Sequence, residues 1–131
     1  MSTIFTKIVN KEIPCHLIKE DDRFLAFLDV MPLVEGHVLV IPKREVDYIF
    51  DLEPELLGDL MKFAQTIAPA IKKAIPCKRV GVAVIGLEVP HAHVHLVPMN
   101  RMLDINFSQE KMKPSAESLA KTAELIRSFL L

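Results

Sequence analysis

Cysteine is scarce in this sequence. Cys15 and Cys77 are the only two among 131 residues, and they are not arranged as Cys-x-x-Cys. That excludes a disulfide framework and predicts two small reduced core residues in a reducing compartment, the cytosol. An excess of charge of one sign is also missing: 16 Lys+Arg stand against 17 Asp+Glu. Such a balance argues against the broad phosphate-backbone footprint of a nucleic-acid-binding domain, so no nucleic-acid partner is expected. A small anionic ligand needs only a few local donors and stays open. Long apolar runs are absent too. Nothing approaches the roughly 20 apolar residues of a membrane span, so no membrane partner is expected. The N-terminal apolar residues are interrupted by Lys7 and Lys11, which leaves no signal-peptide core. There is no internal repeat and no low-complexity linker. The length suits one domain over residues 1–131 with one continuous core. Half the residues are apolar and a quarter are charged, as in ordinary globular proteins.

The first third reads as short strands joined by turns. Leu17-Ile18-Lys19 precedes the turn-like Glu20-Asp21-Asp22, and Phe24 to Leu28 is a β-compatible run. Met31-Pro32 and Glu35-Gly36 are turn signals before a strand from His37 to Ile41, closed by Pro42. A central helix is predicted from about Pro54 to Lys73, with Leu57, Leu60, Met61, Ala64, Ala68 and Ile71 as its apolar stripe. Pro69 should kink that helix or end it early. Val80 to Ile85 is a further β-rich run, followed by clean alternation from His91 to Val97 and then Pro98. Residues 99–113 look irregular, and Ser115 can cap a final helix over about 115–130 bearing Ala116, Leu119, Ala120, Ala123 and Ile126. The layout predicts an α+β fold. Its antiparallel sheet carries a central helix and a C-terminal helix, with the helices packed on one side.

His91, His93 and His95 occupy alternate positions of one predicted strand. A strand rises about 3.3 Å per residue and reverses its side chains at each step, so the three would line one face at roughly 7 Å intervals. Ala92, Val94 and Leu96 would enter the core behind them. A polar row opposite a buried row has little to do with folding, and two chemistries suit it. A neutral imidazole can attack phosphorus with one nitrogen while a hydrogen bond to the other fixes its tautomer; flanking histidines can donate to phosphate oxygens. Alternatively, two histidines at i and i+2 can ligate one zinc ion.

His91-Ala92-His93-Val94-His95-Leu96-Val97 resembles the motif of the histidine-triad (HIT) superfamily, His-x-His-x-His followed by two apolar residues. Upstream blocks are similar to the family's and in its order: Ile4 to Ile8, Lys11 to Pro14, Glu20 to Asp22, Leu25 to Asp29, and Gly36-His37 to Lys43. The resemblance covers about residues 4–98, leaves 99–131 as a C-terminal extension, and points to the nucleotide-binding, nucleoside phosphoramidase-like branch. It implies that His93 is the nucleophile, with His91, His95 and His37 orienting it and stabilising charge. It also implies that Asp29 meets the ribose hydroxyls, while Phe5, Ile8, Phe27, Val30, Leu39 and Val89 surround the base. The reaction implied is double displacement at a nucleoside α-phosphorus. Its substrate would be a purine nucleotide or nucleoside phosphoramidate. No cofactor or metal is called for, and two chains would pair into a homodimer that extends the sheet and uses the central helix.

Two departures from the family pattern stand out. Some relatives hold a structural zinc where this chain has Thr3, Thr6 and Glu45 beside His91, so that site should be absent. Many also have a Gly-rich phosphate loop ending in Gln and a hydroxyl residue, where this chain has the shorter Ile85-Gly86-Leu87-Glu88-Val89-Pro90. If the Glu88 carboxylate points at the phosphate, repulsion at about 4 Å is on the order of 4 kcal/mol at an effective dielectric near 20. Strand alternation would instead send Glu88 to solvent. The rivals are therefore a nucleotide-binding protein with little turnover, and a zinc hydrolase using the His-x-His pair with His37 or a carboxylate.

Overall fold

The computed structural model describes residues 2–130. Five strands form one sheet in which every neighbouring pair is antiparallel: β1 (Leu17–Glu20), β2 (Phe24–Leu28), β3 (Val38–Pro42), β4 (Arg79–Ala83) and β5 (Val94–Met99), in the spatial order β1-β2-β3-β5-β4. Three α-helices accompany it, α1 (Ile4–Val9), α2 (Pro54–Ala74) and α3 (Ala116–Ser128). This is the predicted α+β class. The triad strand β5 is interior but lies next to the edge strand β4; the middle place belongs to β3.

Side chains alternate across a strand, so β2 and β3 each present two rows. Phe24, Ala26 and Leu28 of β2, with Val38 and Val40 of β3, join the main core against α2 and α3. Leu25, Phe27, Leu39 and Ile41 face the other way and form a second cluster with Phe5 and Ile8 of α1. Both rows are buried because both faces are covered. The two helices expected from sequence, α2 and α3, do pack on one side, and α1, which was not expected, covers the other. Six residues are too few to show a 3.6-residue period, and the sequence reading passed over α1. A helix this short is marginal alone. Thr3 caps it by accepting from the Thr6 N–H, and burial of Phe5 and Ile8 contributes about 1.5–3 kcal/mol each.

The apolar stripe of α2 is Leu60, Phe63, Ala64, Ile67, Ala70 and Ile71. Met61, assigned to the core from sequence, is exposed, whereas Phe63 and Ile67 are buried. The helix does not end early at Pro69. Pro69 and Gln65 both face solvent, so water can satisfy the carbonyl that loses its partner, and buried Ala70 and Ile71 hold the last turn. Strand β5 likewise continues through Pro98, because its pairing with β3 covers only Val94 to Leu96 and leaves that flank open beyond. Ser115 does cap α3, accepting from the Ser118 N–H. Cys15 and Cys77 are free and half-buried, and Cys15 packs against the second cluster.

Gly36 turns the chain into β3 at φ +90°, and a Cβ there would sit 2.7 Å from Ile75 Cγ1 at the end of α2. Replacing it by alanine combines left-handed strain with overpacking, so Gly36→Ala is expected to cost about 2–4 kcal/mol. A urea midpoint equal to that of the unsubstituted protein would show that this approach is not close.

Candidate active site

The sequence places the three histidines in one regular strand, and that is corrected here: β5 begins only at Val94. Before it, the backbone bends. The His91 N–H donates to the Val89 carbonyl (2.8 Å) and the Ala92 N–H to the Val46 carbonyl (2.6 Å). The pattern beneath the row does hold, since Ala92, Val94 and Leu96 all enter the main core. Above it, the bend gathers the rings instead of spacing them evenly. Ring centroids lie 4.8 Å apart for His93 and His95, and 5.1 Å apart for His37 and His95.

Hydrogen bonds fix the tautomers. His93 Nδ1 lies 2.7 Å from the His91 carbonyl oxygen, an acceptor only, so Nδ1 carries the proton and in the neutral ring the lone pair is on Nε2. On the other flank, His37 Nδ1 accepts from the Leu33 N–H (3.1 Å), which puts the proton on Nε2. That proton is donated to His95 Nδ1 at 2.9 Å, leaving His95 Nε2–H as a donor. The triad thus offers one lone pair and one N–H from adjacent rings.

Burial disfavours the cationic form of these rings. It pushes His37 down to about 4 and His95 down to about 3, with neighbouring positive charges adding to the effect. His91 is lowered as well, again chiefly by burial. Asp29 is raised, its partial burial outweighing the Met31 N–H that its Oδ1 accepts at 2.9 Å. The other Asp29 oxygen lies 3.9 Å from His37 Nε2.

His91 is held from both sides. Its Nε2–H donates to the Pro42 carbonyl (2.8 Å), so Nδ1 is an acceptor, 3.1 Å from Thr3 Oγ1. Thr6 donates its hydroxyl to Glu45 Oε1 at 2.6 Å, and the Thr3 N–H donates to the same oxygen at 2.9 Å. The Thr3 hydroxyl is thereby available to His91. The residues at the relatives' zinc positions come together around His91, as hydrogen-bonding partners of one another. Separately, Asp29, His37 and His95 each bring one potential ligand atom within 4.8 Å of the others, the only such metal-capable group among the described residues. Their facing histidine nitrogens are joined by the His37–His95 hydrogen bond, which a metal would have to break.

His93 and His95 open into a cavity of about 380 Å³, within the range of small-molecule sites. Phe5, Asp29, Val30, Leu39 and Val89 also line it. Ile8 and Phe27 stand behind that wall in the second core cluster, with the Phe27 ring 5.5 Å from Phe5. His37 and His91 are buried beneath the two lining histidines. Two residues that the sequence reading did not single out reach the cavity from the irregular segment after β5. Phe107 sets its ring edge-on to His95 at 4.7 Å, and Lys111 lies at the mouth, 3.7 Å from Glu88. Neither follows any periodicity or motif spacing that could have marked it. Glu88 is exposed and paired across the mouth rather than aimed alone into the site.

An antiparallel sheet whose penultimate strand opens on a packed His-x-His-x-His bend, braced by a fourth histidine, defines a histidine-triad protein. The sequence model of the HIT domain matches residues 10–102, and the chain belongs to the HIT family. It is 38% identical over 96 residues to adenosine 5'-monophosphoramidase HNT1 of Saccharomyces cerevisiae, covering 72% of this chain and 61% of that protein. Among solved structures, a Hit-like protein involved in cell-cycle regulation from Bartonella henselae superposes with a TM-score of 0.86. It is 32% identical, and the match covers 97% of this chain and 95% of that one. A Zn-bound histidine triad family protein from Mycobacterium smegmatis gives a TM-score of 0.84 at 29% identity, over 98% and 92% of the two chains.

The neutral histidines have a consequence for stability. In the unfolded chain each takes up a proton near pH 6.5, whereas the folded rings refuse it until about 4 for His37 and about 3 for His95. The unfolded state therefore binds more protons between those limits. Stability is complete above pH 6.5 and falls below it by about 1 kcal/mol per pH unit for each ring, partly offset by raised Asp29. The urea midpoint is expected to drop between pH 7.5 and 5.0, and to drop less in His95→Asn. A midpoint that holds or rises toward pH 5.0 would show that the rings are not held neutral.

Proposed function

We propose that the protein is a nucleoside phosphate hydrolase or transferase acting at the α-phosphorus through a covalent nucleotidyl-histidine on His93. The observation that carries this reading is the 2.7 Å bond from His93 Nδ1–H to the His91 carbonyl, which leaves the Nε2 lone pair for attack. Kinship with an adenosine 5'-monophosphoramidase supports a purine nucleoside phosphoramidate as substrate. His93 Nε2 attacks phosphorus, an Nε2–P bond forms, and the P–N bond to the leaving amine breaks as that amine takes a proton from solvent. The adduct imidazole is then cationic, and its Nδ1–H stays on the His91 carbonyl. His95 Nε2–H donates to a phosphate oxygen, with His37 holding the ring in place. Water next attacks phosphorus, the Nε2–P bond breaks, and nucleoside monophosphate leaves with release of one proton. Asp29 receives the ribose hydroxyls, and Phe5, Val30, Leu39 and Val89 enclose the base, backed by Ile8 and Phe27.

Adenosine 5'-phosphoramidate is expected to yield AMP, and mass spectrometry of the quenched reaction to find an adenylyl group on His93. His93→Ala should lose several orders of magnitude in turnover while keeping AMP affinity, because it deletes the nucleophile and spares the base and ribose contacts. Turnover at the unsubstituted rate in that variant would remove His93 from the mechanism. AMP binding without any adduct would favour the binding-protein reading, and loss of turnover in EDTA the zinc hydrolase.

We also infer that two chains pair in the cytosol as a homodimer. β4 is an edge strand with Val82 51% exposed, and such an edge offers unpaired backbone groups and apolar surface to a second copy. Sedimentation equilibrium is expected to give twice the 14.8 kDa chain mass. A monomer at micromolar concentration would oppose this pairing. No described helix is long and apolar enough to cross a membrane.

A further inference from the structure

A nucleotide brings negative charge into a cavity that already holds two carboxylates, Asp29 and Glu88. Burial keeps His95 at its wall, and His37 behind it, neutral, so these two rings offer hydrogen bonds but no compensating charge. Buried anions need a partner. Among the described residues lining the cavity, Lys111 is the only lysine or arginine. It does not sit on a free tail. Four residues earlier Phe107 packs its ring against His95, and one residue later the Met112 N–H donates to the Pro32 carbonyl at 2.9 Å. The ammonium is close enough to act electrostatically on Asp29, His37 and His95.

We propose that Lys111 is the phosphate-binding cation of this site, held at the mouth by Glu88 and transferred to the phosphate oxygens when a nucleotide enters. The inference rests on the nucleotide reading above and names a ligand for the phosphate that the shortened 85–90 loop no longer supplies. The resting pair is suited to exchange. At 3.7 Å it is longer than a charge-assisted hydrogen bond, which runs near 2.7–2.9 Å, and the Glu88 side chain is 81% exposed against 29% for Lys111. Solvent screens such a pair, so little holds the ammonium on Glu88 once a phosphate, with more oxygens and more charge, lies inside the cavity. Glu88 then acts as a competitor for Lys111. Selection follows as well: the mobile cation adds to the His95 N–H in distinguishing a nucleotide from the bare nucleoside.

The test is calorimetric binding of AMP and of adenosine to the full chain and three variants. Lys111→Met is expected to weaken AMP by about 10- to 100-fold, the worth of one hydrogen bond to a charged group, and to leave adenosine unchanged. Lys111→Arg should restore most of the loss, and Glu88→Gln should tighten AMP by removing the competitor. An unchanged AMP affinity in Lys111→Met overturns the proposal while leaving the nucleotide reading intact. An equal loss for AMP and adenosine also overturns it, since that marks a structural role. Weaker AMP binding in Glu88→Gln overturns the exchange. Failure of the unsubstituted protein to bind AMP would sink the nucleotide reading and this inference with it.

Discussion

The bond from His93 Nδ1–H to the His91 carbonyl is local, but it is only as good as the backbone that presents the carbonyl. A peptide two residues away can aim its oxygen in many directions, and here its direction is set by neighbours on every side. The His91 N–H is tied to Val89, the Ala92 N–H to Val46, and the His91 ring to Pro42 of β3. Ala92 itself is buried in the main core, which prevents the bend from rotating about its own axis. A regular strand would not produce this geometry, because residues at i and i+2 would stand about 7 Å apart on one face. The bend ahead of β5 converts a row into a packed cluster with a defined proton on each ring.

Burial of the cluster sets its chemistry. Imidazole in water is half-protonated near pH 6.5. Dry surroundings keep His37 and His95 neutral well into acid, so the tautomer chain from Leu33 through His37 to His95 persists where solvated rings would titrate. The cost is that neutral rings bring no positive charge. Any charge compensation for an anion has to come from side chains at the rim.

Much of this was legible in the sequence. The alternation of Ala92, Val94 and Leu96 against the histidines revealed a buried face behind a polar one, and the five strands were each marked by β-rich runs between turn residues. Other features were not legible, for specific reasons. Pro69 and Pro98 looked like stops because their missing N–H groups were weighed without knowing that Pro69 faces water and Pro98 lies beyond the β3 pairing. Met61 and Phe63 exchanged places in the α2 stripe because both stand three or four residues from an apolar neighbour, on opposite sides of the shared Leu60, Ala64 and Ile71. The six residues of α1 carry no period at all, and Phe107 and Lys111 lie in a segment whose path is set by Asn106, Pro32 and the ring of His95 rather than by a repeating pattern.

Helix α1 is also where the two faces of the structure meet. Phe5 touches Phe27 in the second core cluster, and its ring lies 5.8 Å from His91 and 5.1 Å from His93. The cap of the same helix, Thr3, meets His91 Nδ1, while Thr6 one turn later is fixed by Glu45, three residues past the end of β3. A metal ion bound by four side chains would fasten such a joint by coordination. The same positions are fastened in this chain by hydrogen bonds. Thr6 gives its proton to Glu45, Thr3 gives its proton to His91, and His91 gives its proton to Pro42. Two groups that can only accept fix these directions: the Glu45 carboxylate takes the Thr6 proton, and the Pro42 carbonyl takes the His91 Nε2 proton, which leaves His91 Nδ1 to accept from Thr3. The His91 carbonyl orients His93, so the helix overlooked by periodicity is coupled to His93 through two independent contacts, one apolar through Phe5 and one polar through Thr3 and His91.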